Sequence, residues 1–346
     1  MTRHPFRFRS SEALVCVVAL LGCPVPRGAT AEQDAVRSAI EKGLRRLDKG
    51  AASYVQKRQC FSCHHQATTI SALTSASRRG FKPDAARLPE QVKFTLNSFL
   101  PRKERILKGE GIPGGNTMAA YALFALENAG HKPDETTSLL VEYLLIRQAA
   151  DGSWPALMPR PPSEGSSFTN AALALRALKT YGPKPDDPKA AALRTRVDRA
   201  FAKGRSWLLS HQPKDTEDRM FHLRALVSAG AQAKAIDTAR DELLKAQHDD
   251  GSWSQLPELK GDAYATGGVL TALRAAGLSP RHAAYQKGVK FLVSTQKDDG
   301  SWFVPTRSRP VQVFFDNGDP HGKSQFISFA GTGWAVLALL ETIPES

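Results

Sequence analysis

Cysteine is scarce in this chain. Its 346 residues include four, at positions 16, 23, 60 and 63. That spacing cannot staple a disulfide framework across the molecule, so the fold must rest on a buried core, for which the length suffices. Beyond the first thirty residues no apolar run is long enough to cross a bilayer as a helix. Low-complexity tracts are absent, as are a basic helix and an aromatic-basic module, which argues against a nucleic-acid partner.

The first residues are of another kind. Arg3, Arg7 and Arg9 precede the apolar run ALVCVVALLG at 13–22, and Ala29-Thr30-Ala31 follows. A basic start, a short apolar segment and an A-x-A site predict a secretory signal over 1–31, cleaved after Ala31, and a periplasmic protein. Cys23, after Leu20-Leu21-Gly22, offers an alternative lipoprotein-type start. Residues 1–31 hold four Arg and one Glu, so the remainder carries 43 basic against 33 acidic residues. That balance suits an exported protein meeting acidic partners or surfaces.

Three strings repeat: QAADGSW at 148–154, QHDDGSW at 247–253 and QKDDGSW at 296–302. Two of the glutamines lie 49 apart and the other interval is 99, close to two periods. A repeat of that length signals an array or closed ring of one supersecondary unit. In each unit a charged helix runs into the string, Asp-Gly breaks it, and a second helix rich in Ala, Leu and Gly follows. The bland helices, such as YATGGVLTALRAAG at 264–277 and QFISFAGTGWAVLALLE at 325–341, are expected to form an inner layer, their charged partners an outer one. From residue 33 onward the pattern gives six outer–inner pairs, twelve helices in one domain over 32–346. In the first pair Gln59 stands where the repeat glutamine belongs, and CFSCHH fills the turn.

Q-x-x-D-G-S-W after Lys287, Gly288, Phe291 and Leu292 resembles the QW repeat of squalene–hopene cyclases and the related prenyltransferase repeats. The resemblance covers nearly all of 32–346 and implies an all-α, α6/α6 toroid with inner helices around a central cavity. Gln and Trp of the repeat are expected to do structural work, Trp between units and Gln on helix-end groups.

In such a ring the inner-helix N-termini converge on one rim, each with unsatisfied N–H groups and partial positive charge. Polar residues stand at these starts: Asn116 and Thr117, Thr169 and Asn170, Glu217 and Asp218, Asp262 and Tyr264, Gln325 and Ser328. Squalene–hopene cyclases protonate a polyprene from an aspartic acid in D-x-D-D-T-A at such a start. Here Asp262 alone matches, with Tyr264 and Ala265 in place of the later pair, and DTED at 215–218 is a second acid cluster. A terpenoid cyclase or isomerase would therefore draw its acid from Asp215, Glu217, Asp218 or Asp262. Tyr264, Phe329 and Trp334 would shield cations. The segment TRSRPVQVFFDNGDPHGKSQFIS at 306–328 is a long insertion before the last inner helix. Its Arg307, Arg309, His321 and Lys323, with Gln325, are candidates for holding a carboxylate or phosphate, against a lid that merely seals the ring.

The string KRQCFSCHHQ at 57–66 contains C-x-x-C-H, the attachment pattern of c-type haem. Cys60 and Cys63 would bond the vinyl groups and His64 would ligate iron, with a distal ligand from Met118, Met158, His131, His321 or another residue, or none. Two readings stand beside it: zinc on Cys60, Cys63, His64 or His65 with room for a more remote ligand, and a dithiol–disulfide pair. The expected function is an exported toroid that binds an apolar or partly anionic ligand and carries haem c or a metal at C-x-x-C-H. It would act in binding or in electron transfer with a redox partner protein. The alternative is a terpenoid cyclase or isomerase using a rim acid. An inert repeat scaffold is a third possibility, and no carboxylate pair supports polysaccharide cleavage.

Overall fold

The computed structural model describes residues 27–158, 160–184, 188–309 and 313–346. The expected signal segment up to residue 26, with Cys23, lies outside the described residues. All regular structure among the described residues is helical: α1 Arg27–Lys57, α2 Thr68–Ser77, α3 Arg87–Asn97, α4 Lys103–Ile106, α5 Gly115–Asn128, α6 Glu135–Arg147, α7 Ser167–Tyr181, α8 Ala191–Ser210, α9 Thr216–Ser228, α10 Ala233–Lys245, α11 Ala263–Ala275, α12 Ala283–Thr295 and α13 Gln325–Leu340. Helices α2, α5, α7, α9, α11 and α13 contact one another in that order, and α13 returns to α2, closing the inner ring. Around them stand α1, α3, α6, α8, α10 and α12. The six pairs are those the repeat predicts, with the single-turn α4 added between α3 and α5.

Composition explains the layering. Inner helices are buried on nearly every face, as in α5 and α13, whereas α10 buries only Ala239 and Leu243. Small residues let inner backbones approach. A Cβ on Gly267 of α11 would sit 2.5 Å from the Trp334 carbonyl carbon of α13.

The repeated string is a clamp between neighbouring outer helices. In the third copy Gln296 Nε2 donates to Gly300 O at 3.1 Å, shaping its own turn, and to Ala39 O of α1 at 2.9 Å. Trp302 Nε1 donates to Leu292 O at 2.8 Å, and its ring lies beside Gly43. Gly300 adopts φ +84°, and a Cβ there would lie 2.3 Å from Lys42 O. Gln148 makes the same pair of bonds to Gly152 O and Ala200 O, and Gln247 to Gly251 O and Ala284 O. Thus α6 is tied to α8, α10 to α12, and α12 back to α1, which joins the two ends of the chain. Gln and Trp are structural here, as expected.

Gln59 departs from this pattern. It is exposed, and α1 is tied to the next outer helix instead by Gln91 of α3, whose Nε2 donates to Ala51 O of α1. Freed from the clamp, the C-x-x-C-H stretch takes another shape.

Aromatic side chains fill the bore. Tyr121 of α5 meets Phe221 of α9 with ring centroids 6.5 Å apart, and Phe221 meets Trp334 of α13 at 6.3 Å. Each contact skips one inner helix, so these rings lie across the axis.

Candidate functional site

The inner-helix N-termini do gather at one rim, and the cysteine turn opens there. Ser62 is extended (φ −132°, ψ 130°), and a π-helix, Cys63–Ala67, then leads into α2. Two polar contacts pin this entry: Ser62 N–H donates to Gln66 Oε1 at 2.9 Å, and His65 N–H points at Ser62 Oγ at 3.4 Å. A π-turn shifts side chains by one position and is common at functional sites.

The shift separates the residues of C-x-x-C-H. His64 faces a cavity of about 250 Å3 that Cys60 also lines, while Cys63 is buried outside that lining with its Sγ 3.4 Å from His64 Nδ1. Glu164, from the loop before α7, completes a group in which one ligand atom of each residue lies within 4.8 Å of the others. Cys60 is outside that group, and its Sγ instead approaches Tyr54 Oη at 3.9 Å. Both cysteines are free thiols.

His65 turns the other way. It is stacked between Tyr54 (4.5 Å) and Phe329 (4.1 Å), and its Nε2 lies 2.7 Å from Asp319 Oδ2. Arg46 donates to the other oxygen of Asp319 at 2.9 Å. His65 is thereby engaged in fastening the 306–328 insertion, and the structure does not bring it to the ligand group. Phe329, expected to shield a cation, is the ring under this histidine.

Charge at the site follows from burial. Burial holds the His64 imidazole well below its usual pKa, with His65 and Arg160 adding to the effect, so the ring is neutral and free to ligate. Burial pushes the Cys63 thiol up, reinforced by Glu164 and opposed by Arg160. A thiol so placed is a poor free nucleophile, and a metal would displace its proton. Glu164 is also raised by burial, opposed by its ion pair with Arg160.

Described residues of the insertion form part of this cavity's wall. Phe315 and Lys323 line it, and Arg58 of the α1 end lies 3.2 Å from the Phe315 ring centroid. Gln325 is buried and braces residues 315–317, accepting from Asn317 N–H at 3.0 Å and donating to Phe315 O at 2.8 Å. The basic residues expected to gather there are dispersed. Arg307 donates to Gln255 Oε1 at 2.7 Å, Arg309 is exposed, and His321 Nε2 lies 2.8 Å from Ser301 Oγ. Lys323 alone among them lines the cavity.

The acids at the helix starts fall into two kinds. Asp215 and Asp262 are N-caps, accepting from the N–H of Asp218 and Ala265 at 2.9 Å each. Asp218 accepts from Ser166 Oγ at 2.6 Å. Glu217 is different. It is 2% exposed, accepts from Thr169 Oγ1 at 2.8 Å and from Tyr264 Oη at 3.0 Å, and faces no cation at salt-bridge distance among the described residues. Burial raises its carboxyl to about 8, with the nearby Asp215 and Asp218 adding to the shift, so it holds a proton at neutral pH. Asn116 and Asn170 staple the rim loops by donating to Pro155 O and Trp154 O.

Of the expected distal iron ligands, Met118 lines the same cavity, whereas His131 pairs with Asp134 beyond the opposite end of α5. Sequence reasoning missed Glu164 and Arg160. Their signal was the twelve-residue, proline-rich loop 155–166 that ends at the start of an inner helix.

Residues 191–344 match the family model of the squalene–hopene cyclase C-terminal domain. A probable squalene–hopene cyclase of Sinorhizobium fredii is 32% identical over 134 residues, 38% of this chain and 20% of that protein. The chain thus spans about a fifth of the length of that curated relative. Among solved structures, type II terpene cyclase MstE from Scytonema aligns with TM-score 0.53 at 15% identity, over 90% of this chain and 100% of that one. A glycosidase in complex with glucose aligns with TM-score 0.57 at 13% identity, over 92% and 100%. These likenesses give the fold, and one toroid evidently serves unrelated chemistries.

Proposed function

We propose, for a chain whose residues 191–344 match the squalene–hopene cyclase C-terminal domain family model and whose fold is a terpenoid-cyclase-like toroid, that the rim cavity is a metal-dependent small-molecule site of an exported protein. The observation that carries this reading is the convergence of Cys63, His64 and Glu164, the last two on the cavity wall and Cys63 buried beside them. Tetrahedral zinc, with bonds of about 2.0–2.3 Å, holds its ligand atoms roughly 3.4–3.6 Å apart, and the 3.4 Å between Cys63 Sγ and His64 Nδ1 fits that spacing. Sulfur, nitrogen and oxygen donors suit a zinc-class ion, which would keep a fourth position open to the cavity and act there as a Lewis acid.

Covalent haem fits these residues less well. The cavity of about 250 Å3 has room for a small ligand rather than a macrocycle, and Cys60, although it lines that cavity, is outside the Cys63–His64–Glu164 group. Protein made in a host able to attach haem is expected to bind one zinc per chain and to show no reduced haem bands. Haem bands with no zinc would reverse the assignment.

A second reading is favoured by Glu217. A buried, protonated carboxylic acid beside the aromatic bore is the equipment of an acid-initiated terpenoid cyclase. Squalene turnover by wild type, abolished in Glu217→Gln, is the expected result on this reading, and no product from wild type discards it.

A further inference from the structure

The cavity wall carries more positive charge than its own acid can balance. Arg58, Arg160 and Lys323 all line it, and Glu164 is the only carboxylate among its lining residues. Glu164 is engaged by Arg160, while neither Arg58 nor Lys323 has a carboxylate within 4.0 Å among the described residues. Arg160 Nε is buried with no hydrogen-bond partner. Between these cations the walls are apolar, formed by Phe61, Phe315, Phe326, Met118 and Ile327. Cations without counter-ions around an apolar chamber match a ligand with an anionic head and a short hydrocarbon body.

The loop that supplies Glu164 sharpens this picture. Glu164 is at once the third donor of the candidate metal group and the ion-pair partner of Arg160. A metal on one oxygen of this carboxylate draws off charge and weakens its ion pair with Arg160, even where the second oxygen still accepts from the guanidinium. Arg160, whose Nε already lacks a partner, then has donors left for an oxyanion in the chamber.

We propose that the cavity binds an amphiphile with an oxyanion head, received by Arg58, Lys323 and an Arg160 whose pair with Glu164 metal binding weakens. This deepens the metal-site reading and rests on it for the coupling between ion and ligand. Occupancy of one site then raises affinity at the other, by the 5–150-fold typical of linked sites. Glu164 acts as a built-in placeholder for the ligand head.

Calorimetric titration with hexanoate, hexyl phosphate and hexanol, with and without one equivalent of zinc, tests this. The head-bearing probes are expected to bind at least tenfold more tightly than hexanol. Zinc should strengthen them at least fivefold, and the better of the two identifies the head as carboxylate or phosphate. Arg160→Met should keep zinc binding and lose the anion preference by about tenfold, with Arg58→Met as a second variant should the first misfold. Hexanol binding as well as hexanoate, or an Arg160→Met protein with unchanged hexanoate affinity, overturns the proposal. Failure of zinc to bind sinks the metal reading alone. A zinc-independent anion preference lost in the arginine variants would then still support the oxyanion pocket, and no preference would end it.

Discussion

Trp302→Ala is expected to lower the free energy of unfolding by about 3–5 kcal/mol, the range for emptying a fully buried aromatic site. Trp302 is 1% exposed, its indole N–H is satisfied by Leu292 O, and its ring fills the space beside Gly43 of the first outer helix. It belongs to the clamp that joins α12 to α1, so its loss loosens the seam between chain ends as well as a packing contact. The adjacent Phe303 is 49% exposed and serves as the control, with Phe303→Ala costing under about 1 kcal/mol. Urea titrations of the two variants measure the difference. Equal midpoints would mean that the seam does not hold the ring.

Glu217→Gln is expected to act in the opposite direction, stabilising the protein by about 3 kcal/mol at pH 7, since each unit of pKa difference is worth about 1.36 kcal/mol. The folded carboxyl titrates at about 8 and the unfolded one near its ordinary 4.5. Between those values the unfolded chain has released a proton that the folded chain keeps. Stability is therefore full below pH 4.5, falls as pH rises through the window and levels off above 8. Glutamine mimics the protonated acid in shape and can keep its contacts with Thr169 and Tyr264. The variant and the wild type should match at acid pH and diverge as pH climbs. Parallel stability curves from pH 5 to 8 would show that Glu217 is ionised in the fold. A neutral acid retained in the core at this cost marks Glu217 as a functional candidate.

The repeat was legible because its grammar is local. Gln, Gly and Trp at fixed offsets each meet a backbone group of the same turn or of the next outer helix, so three copies at one phase dictate the ring. The shared rim followed from that topology. The conformation of C-x-x-C-H was not legible, since the same spacing serves a helical turn or an extended segment entering a π-helix. The actual form depends on Ser62, Gln66 and the missing clamp at Gln59. Glu164 could not be found from the motif either, because it arrives from a loop a hundred residues downstream. The basic residues of the insertion were read as one cluster from proximity in sequence. An irregular loop scatters neighbours, and Arg307 faces the Asp215 cap while His321 faces Ser301. Buried histidine gave a similar lesson: His64 and His65 are adjacent, yet one faces the cavity and the other the Asp319–Arg46 pair.

The most direct measurement is zinc stoichiometry in Cys60→Ala set against Cys63→Ser, each compared with wild type. A site built from Cys63, His64 and Glu164 predicts one ion per chain in wild type and in Cys60→Ala, and its loss in Cys63→Ser. Equal loss in both variants, or a covalently attached haem that needs both sulfurs, would contradict it.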